Sequence, residues 1–236
     1  MALPVLNDSP LYEATVPSTE EVIRFRPFLV KEQRTLLIAF ESQDRKQILG
    51  AVLDTIQSCA GVDPRDWPMH DVEYIFVQIR AKSVGESADV SIACTKCENK
   101  TAIKVDFNDV VIDKQEISNI IKLTEDINIE LKHPSFYDML NNHIITSEDA
   151  TVTDRLTESI LLSISAVLTE EERIIFKDES HQEKLRFFNS LTNDQFALIK
   201  NYIDAAPKMI YDAKYTCESC GYENERRLST IDDFFS

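Results

Sequence analysis

The chain has 236 residues, enough for one large domain, or a main domain with a satellite, and for a sizeable core without covalent staples. Its 41 Asp and Glu outweigh 25 Lys and Arg, so the net charge is −16 and the average surface repels nucleic-acid phosphates and anionic membranes. Four scattered glycines exclude a low-complexity chain, and no apolar stretch reaches the ~18–20 residues of a membrane span.

The first residues lack a basic stretch followed by an apolar run, so no secretory signal is expected. The expected setting is a reducing cytoplasm, where paired cysteines bind metal rather than form disulfides.

Residues 1–30 read as an N-terminal arm and strand. Pro4, Pro10 and Pro17 punctuate the arm, and Pro17-Ser18-Thr19 marks a turn. A short strand follows over Val22–Arg26, with Ile23 and Phe25 on one face and Arg24 and Arg26 on the other. Residues 31–85 are expected to be helical. Leu36, Leu37 and Phe40 lie on the first helix. Asp44 and Gln47 have capping-box spacing before Ile48, Val52 and Ile56. Val72, Ile75, Phe76 and Ile79 repeat at helical spacing, and Gly85 is a suitable stop.

Residues 86–134 switch to a period of two and form the first β and cysteine segment. Val90 and Ile92 lead into Cys94 and Cys97, and Ile103, Val105 and Phe107 lead out; Ile127, Ile129 and Leu131 predict a further strand. Residues 135–207 are expected to be a helical insertion. Leu156, Ile160, Leu161, Ile164 and Leu168 form the stripe of one long helix. Glu170-Glu171-Glu172 suits a helix N-terminus, although a solvated face accounts for it as well. Ser180 with Glu183 and Thr192 with Gln195 predict two more helix starts. Residues 208–236 carry the second cysteine hairpin, from Met209 through Tyr215 to Leu228, and a tail ending in Phe234-Phe235. Exposed, those two aromatics would form an apolar patch, so they are expected to dock.

Cys94, Cys97, Cys217 and Cys220 form two Cys-x-x-Cys pairs, each between strand patterns. One such turn offers two sulfurs to an ion, and two turns complete a tetrahedral shell. The expected cofactor is one structural Zn²⁺ ion. Separate ions, a vestigial pair and an iron–sulfur cluster are the alternatives. Gly221 supplies the positive φ that such a turn needs, and Asn99 is the candidate for that role after Cys97. The fold class predicted is α+β: a mainly helical body with a split zinc-ribbon-like β module built from two distant hairpins. Cys59 reads as a small buried hydrophobe.

No catalytic constellation stands beside these pairs. There is no glycine-rich phosphate loop, no His-Glu-x-x-His and no Gly-x-Ser-x-Gly. His70, His133, His143 and His181 are far apart and read as surface or capping residues. The chain is expected to be non-enzymatic.

Two stretches carry a family resemblance. Pro17-Ser18-Thr19 with Arg24-Phe25-Arg26-Pro27-Phe28-Leu29-Val30-Lys31-Glu32-Gln33 is one; the Cys217–Gly221 knuckle followed by Ile231-Asp232-Asp233-Phe234-Phe235 is the other. Both resemble the baseplate hub and hub-assembly proteins of T-even-like contractile-tailed bacteriophages. The resemblance implies a late viral protein, made in the cytoplasm of the infected host and acting as a hub subunit or an assembly chaperone. Its partners would be other hub and tape-measure proteins, with no nucleic acid, membrane or small-molecule substrate. Arg24, Arg26, Phe28, Phe234 and Phe235 are the candidate partner contacts; an internal ion pair is the other reading of the two arginines. The competing function is a nucleic-acid-binding zinc-ribbon or transcription-associated factor, which the net charge disfavours.

Overall fold

The computed structural model describes residues 9–147, 149–229 and 233, without the side chain of Arg45. The chain divides into two units. One holds Met1–Pro64, His70–Asp113 and Lys208–Ser236; the other holds Arg65–Met69 and Lys114–Pro207.

The stretch that reads as an extended arm is a hairpin. Strands β1 (Tyr12–Thr15) and β2 (Val22–Phe25) pair antiparallel, with Tyr12 opposite Phe25. Ile23 and Phe25 are buried and Arg24 is exposed, as the alternation predicts. Asp71, fully buried, accepts from the Ser18 amide at 3.0 Å and from the Ser18 hydroxyl, which explains the Pro-Ser-Thr turn. Helix α1 (Val30–Ser42) starts where Glu32 accepts from the Leu29 amide at 2.8 Å. Helix α2 (Arg45–Ala60) begins at Asp44, whose carboxylate takes the Lys46 and Gln47 amides, and stops at Gly61 with φ 70°. The left-handed backbone there favours glycine. Helix α3 (Met69–Val84) buries Val72, Ile75, Phe76 and Ile79 as its spacing demands.

Strands β3 (Ser87–Ala93) and β4 (Lys100–Asp106) form the first cysteine hairpin. A 3-10 turn then leads into a short strand, β5 (Val111–Asp113).

The second unit holds a four-stranded antiparallel sheet where sequence patterns predict mostly helix. Its order is β6 (Ile120–Lys122), β7 (Asn128–Leu131), β8 (Ile164–Leu168) and β9 (Arg173–Ile175). Helices α4 (Phe136–Asn141), α5 (His143–Thr146) and α6 (Val152–Ser163) lie between β7 and β8. The single helix expected through Leu168 therefore ends at Ser163. Ile164, Ala166 and Leu168 alternate as well as they fit an i, i+4 stripe, and β7 supplies a partner edge with Ile129 opposite Val167. Strand pairing settles an ambiguity that periodicity leaves open. The acidic run is likewise no helix start. Thr169 and Glu172 close a hairpin turn, Thr169 N–H donating to Glu172 O at 2.9 Å, and the carboxylates stay solvated.

Helices α7 (His181–Asn189) and α8 (Asn193–Asp204) begin at Ser180 and Thr192, the two capping residues expected. Ile129, Leu131, Ile160, Phe176 and Ile199 form this unit's core. Glu158, buried on α6, is satisfied by Asn142 at 3.0 Å and lies 3.5 Å from His181.

The chain then returns to the first unit. Strand β10 (Lys208–Thr216) pairs with β5 on one side and with β11 (Glu223–Leu228) on the other. Val90, Ile92, Val105, Phe107, Met209, Ala213 and Leu228 join Val77 and Ala81 of α3 in one core. Truncating the fully buried Phe107 to Ala would cost about 3–5 kcal/mol.

Candidate metal centre

The cysteines sit where the two hairpins end. Ala93 pairs with Lys100 and Thr216 with Glu223, so Cys94 and Cys217 are each the first residue beyond a closing strand pair. Each knuckle then closes with the same two backbone bonds. Cys94 N–H donates to Asn99 O, and Glu98 N–H to Cys94 O, both at 2.9 Å; Cys217 N–H donates to Tyr222 O, and Gly221 N–H to Cys217 O, also at 2.9 Å. The fourth residue after the leading cysteine has positive φ in both knuckles, 61° at Glu98 and 69° at Gly221. The left-handed residue of the first knuckle is thus Glu98, not Asn99. Asn99 instead donates to the Cys97 sulfur at 3.6 Å and to Ser219 Oγ at 2.9 Å.

The knuckles bring together sulfurs that are far apart in the chain. Cys97 and Cys217, 120 positions apart, approach to 3.6 Å, and Cys94 and Cys220 to 3.8 Å. All four sulfurs lie within 4.8 Å of one another. A tetrahedral ion with metal–sulfur bonds of ~2.3 Å separates its ligands by ~3.8 Å, so the donor set fits one ion. An iron–sulfur cluster spreads its thiolates around several irons, which suits this spacing less well.

The knuckles are also tied to each other by reciprocal contacts. Asn224, buried, takes the Thr95 amide at 3.0 Å and its hydroxyl at 2.9 Å, and donates to the Cys94 sulfur at 3.5 Å. Thr101 holds the equivalent place in the first hairpin and accepts from the Glu218 amide at 3.5 Å. Asn99 reaches Ser219, and the equivalent contact is Lys96 over the Tyr222 ring at 5.6 Å. Tyr215 Oη donates to Ala93 O at 2.9 Å. The two hairpins meet as pseudo-twofold mates.

Electrostatics follow the donors. Burial works to raise the Cys94 thiol, but the Lys96 and Cys97 amides and the Asn224 side chain outweigh it and bring the thiol down to about 6. The Cys220 amide leads the causes that lower Cys217. Cys220 is pushed up to about 12: the Tyr222 amide works to lower it, and hydrogen bonds with the other thiols outweigh that. The two thiols that are lowered are the leading cysteines, which are the buried ones. A bound cation would favour the thiolate form of all four.

Cys59 lies outside this centre, buried, with its thiol raised to about 11 by desolvation. It is the small buried hydrophobe expected.

The candidate partner contacts fall differently. Arg26 takes the internal ion pair. Its guanidinium binds the buried Glu32 at 2.8 Å and the carbonyls of Pro27 and Ser58 at 2.9 and 3.1 Å. Arg24 stays at the surface, paired with Glu13 at 3.0 Å. Phe28 is half-buried, its amide donating to Ser83 Oγ at 2.9 Å. Phe234 and Phe235 lie outside the described residues. Asn224 and Thr101 had no motif to announce them. Each is the seventh residue after a leading cysteine, a match visible once the two knuckles are aligned.

Comparison with curated proteins returned no match, and comparison with solved structures returned none either. Residues 9–236 match the family described as T4 bacteriophage base plate protein. The match spans both units and both cysteine knuckles. The chain belongs to the T4 bacteriophage base plate protein family and is a structural protein of the phage tail.

Proposed function

We propose that the chain is a non-enzymatic component of the baseplate hub, a hub subunit or hub-assembly factor, that works by protein–protein contacts with other hub and tape-measure proteins. In this reading Cys94, Cys97, Cys217 and Cys220 hold one structural Zn²⁺ in a split zinc-ribbon-like module. The supporting observation is the closed set of four sulfurs within 4.8 Å, drawn from two separate chain segments of the first unit. Four thiolates fill a tetrahedral shell and leave no position for water or substrate, so the ion clamps and does not catalyse. Exposed Arg24, half-buried Phe28, and Phe234 and Phe235 of the tail are the proposed contacts.

A nucleic-acid role draws no support from the knuckles. Two cations of the second hairpin are compensated, Arg227 by Asp212 at 2.8 Å and Lys214 by Glu225 at 3.1 Å. The net charge of −16 opposes phosphate binding over the average surface.

The test is purification from infected cells, with mature particles analysed alongside. Recovery with hub proteins in both assembly intermediates and particles identifies a hub subunit. Recovery in intermediates alone identifies an assembly factor. Recovery only with peripheral baseplate proteins rejects the hub assignment. One zinc per chain, by elemental analysis of the purified protein, is the expected metal content.

A further inference from the structure

Helix α1 has two faces. Glu32, Leu36 and Ala39 are buried on one. On the opposite face Val30 is 79% exposed, and Leu37 and Ile38 are each 56% exposed. An amphipathic helix ordinarily carries polar residues on the face away from its core, so aliphatics grouped there are a candidate contact surface. Arg34 and Glu41 lie on the same face, both exposed and neither in an ion pair among the described residues.

The order of these residues is its own complement. Turned end for end about the point between Leu37 and Ile38, the face sets Leu37 against Ile38 and Arg34 against Glu41. We infer that α1 is a homodimer contact, packing antiparallel against α1 of a second copy about a twofold axis between Leu37 and Ile38. Two Arg34–Glu41 ion pairs then flank a centre of two Leu37–Ile38 contacts, the self-complementary pattern that an isologous interface requires. A helix of a different partner would need no such symmetry in this one. The contact from Arg34 to Glu41 is about two turns long, below the size of a standard interface, so the dimer is expected to be weak, on the order of micromolar or weaker.

Sedimentation of the full-length chain across a range of concentrations tests this. The native chain is expected to shift reversibly from monomer to dimer. Arg34→Glu alone sets Glu against Glu41 twice and should weaken association by about tenfold or more; Glu41→Arg alone should do the same. The two single variants mixed should form a mixed dimer, because each chain then presents one sign to the other. The double variant Arg34→Glu with Glu41→Arg should self-associate again. Both substituted positions are exposed, so circular dichroism should show unchanged folding. A chain that stays monomeric at every concentration overturns the inference. So does a dimer that ignores both charge reversals, since a different face would then make the contact.

Discussion

The two cysteine knuckles share one backbone design and differ in how their side chains meet it. Both close with the same pair of hydrogen bonds and both place their fourth residue in the left-handed region. The second uses glycine there, and the first uses Glu98 at a cost in backbone energy. The second contributes an amide side chain, Asn224, that binds a hydroxyl, a backbone N–H and a sulfur of its mate; the first answers with Thr101, which makes one long contact. The first knuckle is thus held mainly by the second. One knuckle is locally well formed, and the other depends on being clamped.

Removing the metal should test this most severely. Chelation is expected to lower the melting temperature of the first unit by more than ~10 °C, since metal binding to such sites is folding energy. Amide exchange should then rise sooner around Cys94–Asn99 than around Cys217–Tyr222. Equal exchange in the two knuckles would contradict the asymmetry.

Asn224→Ala comes next. It leaves the Thr95 amide unpartnered and should cost about 1–3 kcal/mol in denaturant unfolding, with metal affinity weakened about 10-fold or more. Thr101→Ala should cost well under half of that. A smaller effect, about 1 kcal/mol, is expected from Gly221→Ala. No neighbour lies within 4 Å of the added methyl, so the loss would be backbone strain alone. Glu98→Gly should have the opposite sign and stabilise by a few tenths to ~1 kcal/mol, because it relieves the strained residue.

The smallest effect concerns a clasp of the same unit that needs no metal. Burial works to raise the Glu32 carboxyl, and Arg26 and the Leu29 amide outweigh it, so its pKa sits below the ordinary value of 4.5. The clasp contributes stability at pH above 4.5 that is lost as pH falls through the lowered folded value. Metal release, which begins when thiolates protonate, should come at higher pH. Titrating metal-loaded and chelated protein separates the two, and Glu32→Gln should remove only the acid limb.

The local signals that held were those with a strong short-range cause. Asp44, Ser180 and Thr192 cap the helices they were expected to start, because an N-cap bond is made within three residues. The four cysteines were legible as one site because sulfur spacing states the ligand geometry directly. Signals that depended on a distant strand did not hold. Ile164–Leu168 fits a helix and a strand equally well, and only the edge of β7 decides between them. Strands β5 and β6 are three residues each, too short to show a period. Arg26 carried no mark of its direction, because its buried partner lies on the following helix.

By itself the sequence determined the charge, the helix starts, the paired cysteines and the likeness to a phage baseplate family, each set by residue type or by neighbours a few positions away. Only the tertiary structure decided which residues tie the knuckles together, where helix gives way to sheet after Ser163, and which arginine of the Arg-Phe-Arg stretch turns inward. The first two outcomes rest on partners dozens of residues distant, and the third on Glu32 in the next element together with the Ser58 carbonyl; a hydrogen bond or a strand edge has no sequence signature until its partner is in place.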